Sequence, residues 1–302
     1  MRRVVPRLFA LVLSVTTFTP AVAAQAPNVG TLIVAHGGDS VWNSQILEVA
    51  NATRTGGPVR VAFLMGPAAA AFRFHEQIAA LRGAGATRIA IVPFLMSSHS
   101  EHMDQLRWLL GMRDSLSEVM LHHLQHAGIE RVADAKGTRL TPSIDDAPEA
   151  AAIFARRAKA LLTSPGRQAI LLFGHGPGEA TDYARWMRNL RIIADSVKQA
   201  TGVREVQVEL VRDDAGAEVR GEAVRRARDL VRLMYGMTGE PVVVVPALVA
   251  TGTLSRVTLA RDLAGLPIAY DGTALLPSGD MARWVERRVR EAFAATGTAR
   301  AP

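Results

Sequence analysis

Four side chains stand out by type and spacing. His36 ends an apolar run, and His99, Glu101 and His102 sit together in Met96-Ser97-Ser98-His99-Ser100-Glu101-His102. A histidine that leaves a buried strand into Gly37-Gly38 is poorly placed for packing, and the glycines allow backbone or ligand to approach closely. A neutral imidazole there can ligate a metal or accept a proton. With Ser100 opening a helix, His99 and His102 lie near one helix face. Imidazoles and a carboxylate converging from two strand ends suit a divalent first-row metal held by N and O donors. The chain has no cysteine, which excludes disulfides, zinc-thiolate and iron–sulfur sites and any thiol nucleophile.

Competing chemistries fail on spacing. There is no H-E-x-x-H, no Walker A sequence and no dinucleotide fingerprint. Phe173-Gly174-His175-Gly176 carries His where a nucleophile elbow carries Ser. A histidine phosphatase would have Arg before the strand-end His, where Ala35 and Gly174 stand. The remaining histidines have plainer readings. His175 reads as a cap on backbone groups, His122, His123 and His126 as solvated surface or loop, and His75 beside Glu76 as a solvent-facing helix residue.

The elements that must position these residues occur twice. Thr31–Ala35 followed by His36-Gly37-Gly38 matches Ala169–Phe173 followed by Gly174-His175-Gly176. Ile89-Ala90-Ile91-Val92-Pro93 matches Val242-Val243-Val244-Val245-Pro246, and Leu140-Thr141-Pro142-Ser143 matches Leu275-Leu276-Pro277-Ser278, in the same order. This is a duplication, with halves of 27–145 and 146–302. The continuous Val/Ile-rich runs Thr31–Ala35, Val59–Leu64, Arg88–Val92, Ala169–Phe173, Glu205–Leu210 and Val242–Val245 predict buried parallel strands. Helices are expected over Ala68–Arg82, 179–201 and 216–235, with closing helices over Ala147–Leu162 and Met281–Ala295. The expected fold is α/β: two duplicated flavodoxin-like lobes, each a parallel sheet with helices on both faces. Ligands of such sheets bind at the carboxyl ends of the strands, where His36 and His175 lie. Aligning the prolines sets Gly252 opposite His99 and Ser255 opposite His102, so the second half lacks those imidazoles.

Composition bounds the rest. A chain of 302 residues, 49% hydrophobic and 21% charged, is long enough for two globular lobes and is neither disordered nor polytopic. Arg2, Arg3 and Arg7, the apolar run Leu8–Val15 and the small residues after Pro20 form the three-part pattern of an export signal over 1–26. Its apolar run is too short to span a bilayer, so no membrane span is expected after cleavage. The expected location is outside the cytoplasm, periplasmic in a Gram-negative source. Without that segment the formal charge of +7 falls to about +4. No nucleic-acid module is present.

Strand, Ala35-His36-Gly37-Gly38, then Val92-Pro93-Phe94-Leu95 and a His-bearing loop, repeated in outline in the second half, resembles the class II tetrapyrrole chelatases, the cobaltochelatases and ferrochelatases that act on sirohydrochlorin. The resemblance implies insertion of Co²⁺ or Fe²⁺ (Ni²⁺ as a further candidate) into an acidic tetrapyrrole held between the lobes, with no organic cofactor and the metal itself as substrate. It assigns the first catalytic histidine to His36 and the second to His99 or His102, with His99 favoured. Glu101, which stands where the family's loop histidine usually does, is expected to take protons or complete the coordination. Arg73, Arg107, Arg185 and Arg188 are expected clamps for the ring's carboxylates. Arg212-Asp213-Asp214 and Tyr270-Asp271-Gly272 look like lineage features without a derived role. A non-catalytic exported binder of metal or tetrapyrrole is the alternative reading, and a degenerate interaction module a third.

Overall fold

Residues 28–294 are described by the computed structural model; the export-signal pattern at 1–26 and the expected end of the last helix at Ala295 lie outside them. Two four-stranded parallel sheets form. The first comprises β1 (Val29–Ala35), β2 (Val59–Phe63), β3 (Arg88–Phe94) and β4 (Thr138–Leu140) in the order β2-β1-β3-β4. The second comprises β5 (Ile170–Gly174), β6 (Val206–Leu210), β7 (Val242–Ala247) and β8 (Ile268–Ala269) in the order β6-β5-β7-β8. The two orders are the same, as a duplication requires. Leu32 to Ala35 and Ile170 to Phe173 have no exposed surface, which is why these strands read as unbroken apolar runs rather than alternating ones.

Helices join the strands: α1 (Ser40–Ala52), α2 (Phe74–Gly83), α3 (Glu101–Leu109), α4 (Glu118–His126), α5 (Pro148–Leu161), α6 (Ala180–Thr201), α7 (Ala217–Thr238), α8 (Leu259–Asp262) and α9 (Asp280–Ala294). The helix expected over Ala68–Arg82 is broken. A 3₁₀ turn at Ala69–Ala71 ends at Phe72, whose carbonyl accepts the Phe63 N–H, and α2 starts afresh after the extended Arg73. Tertiary bonding to the end of β2 here overrides helix propensity. Strands β3 and β7 continue through Pro93 and Pro246, where the sequence reading stopped them.

The closing helices cross over. Helix α5 packs on α6 and β7 of the second sheet, while α9 packs on β3 and α1 of the first. Trp284 of α9 is fully buried and meets Phe94 edge-on at 5.3 Å between ring centres. A tryptophan in such a position contributes about 3–5 kcal/mol against alanine. Arg287 of α9 grips Glu149 of α5 with two bonds of 2.8 and 2.7 Å. One apolar core therefore runs through both lobes, from Leu32 and Phe94 to Ile170 and Val245.

The register places the site. Ala35 pairs with both Phe63 and Phe94, and Gly174 with both Leu210 and Ala247. His36 and the segment after Phe94 therefore leave one sheet edge side by side, as do His175 and the segment after Ala247. No helix among the described residues is long and apolar enough to cross a membrane.

Candidate functional site

A cavity of about 360 Å³ opens between the two sets of strand ends, within the size range of small-ligand sites. Histidines 36, 102 and 175, Glu101 and Asp214 line it.

His36 is set by the turn that follows it. Gly37 has φ +95°, and a Cβ there would fall 2.2 Å from the Met65 carbonyl oxygen, so only glycine fits. The Met65 N–H donates to the His36 carbonyl at 2.8 Å, and Asn43 brackets Gly38, accepting from its N–H and donating to its carbonyl. The His36 Nδ1 lies 2.6 Å from the Gly37 carbonyl oxygen. A carbonyl only accepts, so Nδ1 carries the proton and Nε2 the free lone pair.

His102 is fixed in the same sense by other means. Ser100 caps α3, accepting from the Met103 N–H, which is the helix start that the sequence reading required. The His102 Nδ1 stands 2.8 Å from Gln105 Oε1, and the Gln105 amide donates to the Met120 carbonyl at 3.1 Å. That second bond sets the amide's orientation, so Nδ1 donates and Nε2 is again the bare nitrogen. The rings of His36 and His102 meet edge to face at 4.6 Å between centres. Donation of one ring nitrogen to a fixed acceptor is how proteins aim the other at a metal. Burial lowers both pKa values, that of His102 to about 3, so both rings are neutral and open to ligation at neutral pH. A group so hard to protonate is a ligand and not a proton store.

Glu101 beside them is pushed the other way. Partial burial comes first, then repulsion from Asp214, Glu179, Asp182 and Asp104, and together they raise its pKa. It is the better proton acceptor of the set.

The expected residues divide. His36, Glu101 and His102 come together, whereas His99, the favoured second histidine, does not line the cavity. It precedes the cap of α3, with its backbone N–H held by Ser97 Oγ at 3.1 Å. The four expected arginine clamps also stand away from the cavity. His175 does line it. Its Nδ1 faces the Gly176 carbonyl at 2.6 Å, repeating the His36 arrangement, and its Nε2 lies 3.6 Å from Asp214 Oδ1. The Arg212-Asp213-Asp214 segment thus brings a carboxylate to the cavity. The bare Nε2 and the carboxylate are both acceptors, so a metal cation between them relieves their repulsion. Among the described residues no three of His, Asp and Glu are close enough to hold a metal ion by themselves.

Sequence reasoning missed the residues that hold the loops. Asp145 lies at φ +50°. Its carboxylate accepts from the Ser98 N–H at 2.7 Å, from Ser98 Oγ at 2.6 Å and from Asn189 of α6 at 3.0 Å. It ties the His loop of one lobe to a helix of the other. Its place just past the Pro142-Ser143 turn was the only hint. Asp39 caps α1 and accepts from both the N–H and the hydroxyl of Thr253, and Gln45 exchanges bonds with the backbone of Thr251. These pairs join the lobes beside the cavity.

Residues 30–161 match the family model CbiX. Among curated proteins no sequence matches the chain. Several solved structures are similar, among them the following three. SirB from Bacillus subtilis, solved with Fe³⁺, is 19% identical over 90% of this chain and 98% of its own, with a TM-score of 0.58. CbiX, described as the terminal enzyme of siroheme biosynthesis in denitrifying bacteria, is 17% identical over 88% and 99%, with a TM-score of 0.51. DR2241 from Deinococcus radiodurans, a multi-domain protein with structural similarity to chelatases, is 18% identical over 87% of this chain but 54% of its own, with a TM-score of 0.51. At these identities the likeness establishes the two-lobed α/β fold expected from the sequence.

Proposed function

We propose that this chain, whose residues 30–161 match the CbiX family model and whose fold is that of SirB and CbiX, is a class II tetrapyrrole chelatase that inserts a divalent metal, Co²⁺ or Fe²⁺, into a tetrapyrrole held between its lobes. The observation that carries the reading is the His36–His102 pair, two neutral imidazoles with both Nδ1 protons committed to carbonyl oxygens at the interlobe cavity.

The reaction exchanges M²⁺ for the two pyrrole N–H protons of the ring. The imidazole pair is the metal-holding element: two neutral nitrogens bind an ion firmly enough to receive it and loosely enough to release it to four ring nitrogens. Because His102 resists protonation, the displaced protons go to Glu101 and from there to solvent. Asp214 and His175 face the pair from the second lobe and attract the cation. The metal is substrate, and no organic cofactor is invoked. Export from the cytoplasm is part of the proposal and rests on the pattern at 1–26.

The test is anaerobic absorption spectroscopy of the mature chain with excess metal-free ring and Co²⁺, then Fe²⁺. Sirohydrochlorin, the family's ring, and a porphyrin with fewer carboxylates are assayed in parallel. Multiple turnovers above the uncatalysed rate are expected with at least one of them. A spectral change that stops at one equivalent on both would make the chain a carrier, the reading that export favours. No change on either ring would make it an interaction module.

A further inference from the structure

We propose that the ring edge entering this cleft carries no carboxylate, so that the chain takes a tetrapyrrole with few carboxylates gathered on its outer edge in preference to one bearing them on every pyrrole. This rests on the reading of the cleft as a tetrapyrrole site and narrows the substrate class.

The wall of the cavity carries the argument. Among the described residues its charged side chains are Asp39, Glu101 and Asp214, all carboxylates, and no described Lys or Arg lines it. The rest of the wall is imidazole, glycine, the hydroxyl residues Ser100 and Thr253 and apolar surface, with Trp42 from the first lobe and Trp186 from the second among its large flat groups. Flat aromatic walls suit the face of a macrocycle. A carboxylate carried inward would lose its water, find no cation and meet like charges. The arginines expected as clamps are engaged elsewhere or turned to solvent. Arg73 binds Glu76 and the Ala127 carbonyl, Arg107 binds Asp104, Arg185 pairs with Asp182, and Arg188 is exposed on α6. Arg212, two residues before Asp214, donates to the Pro177 and Gly178 carbonyls and supports the loop after β5. The same carboxylates that repel an anionic ring edge attract a divalent cation, so the charge pattern admits the metal and an uncharged ring edge together.

The test measures binding of two metal-free porphyrins to the full mature chain by tryptophan quenching at one ionic strength: mesoporphyrin, with two carboxylates, and uroporphyrin, with eight. The dicarboxylic ring is expected to bind at least tenfold tighter. Trp42→Ala should weaken it, which separates binding in the cleft from adsorption. Asp214→Arg should shrink the preference several-fold by placing a cation at the wall. Equal or tighter binding of the octacarboxylic ring would overturn this inference while leaving the proposed function standing. If neither ring binds, the cleft is not a tetrapyrrole site, and both readings fall.

Discussion

The strand-end histidines of the two lobes are built alike and surrounded differently. Each follows a fully buried strand, precedes a left-handed glycine, and sets its Nδ1 2.6 Å from that glycine's carbonyl oxygen. Even the brace is repeated: the His36 carbonyl accepts from Met65 N–H, and the His175 carbonyl from Arg212 N–H. Beyond that the lobes part. The first sets His102 against His36, held by the buried Gln105. The second has Ser255 at the matching place, its hydroxyl bonded to Gly252, and a Cβ on Gly252 would press on Asp39 and Trp42. The duplication thus kept the scaffold that aims an imidazole, while the partner imidazole stands in one lobe only. In the other lobe the same space lets the two halves close on each other.

This asymmetry can be broken from the first lobe or the second. His36→Ala removes half of the paired site and should lower turnover at least about 100-fold, the scale of a lost ligand or acid–base group, with the circular dichroism spectrum unchanged. His175→Ala should cost about tenfold or less, because that ring has no imidazole partner. Equal losses in steady-state assays would mean that the lobes share the chemistry evenly.

Asp145→Asn sharpens the comparison by loosening only the His-bearing loop. Asn tolerates the left-handed backbone but cannot accept all three bonds. A roughly tenfold fall in kcat with KM for the ring unchanged is expected for a positioning residue. A change in melting temperature alone would give Asp145 a purely structural role.

The smallest effect is on stability. Burial depresses the pKa of His102 from 6.5 to about 3 in the folded chain. Above pH 6.5 the ring is neutral in both states and adds no pH dependence. As pH falls below 6.5 the unfolded chain takes up the proton first, so stability drops, by roughly 1.4 kcal/mol per pH unit for this group, until the folded ring protonates. Acid thermal melts of His102→Gln should be flatter than those of the parent.

Much of this frame could be read from residues alone. Unbroken apolar runs disclosed the six long strands, and the repeated strand-His-Gly pattern disclosed both lobes. The cap at Ser100 and the strand-end position of His36 pointed to the cavity. The choice between His99 and His102 was not legible, because it depends on Gln105 being oriented toward His102 by the Met120 carbonyl, which comes within reach only once α3 packs on α4. Nor was the crossing of α5 and α9 between sheets, since an amphipathic helix carries the period of its apolar face and not the address of the sheet it covers. The arginine clamps failed for a related reason: charge and approximate position say nothing of the carboxylates that occupy them, such as Asp104 on Arg107.

The most direct test of the paired-imidazole centre is metal-insertion turnover of His102→Ala beside His99→Ala, measured anaerobically at neutral pH with a ring that the parent chain metallates. Loss of about 100-fold or more in His102→Ala, with His99→Ala within about threefold of the parent, is the predicted result. The reverse order would contradict the account and return the second ligand to His99.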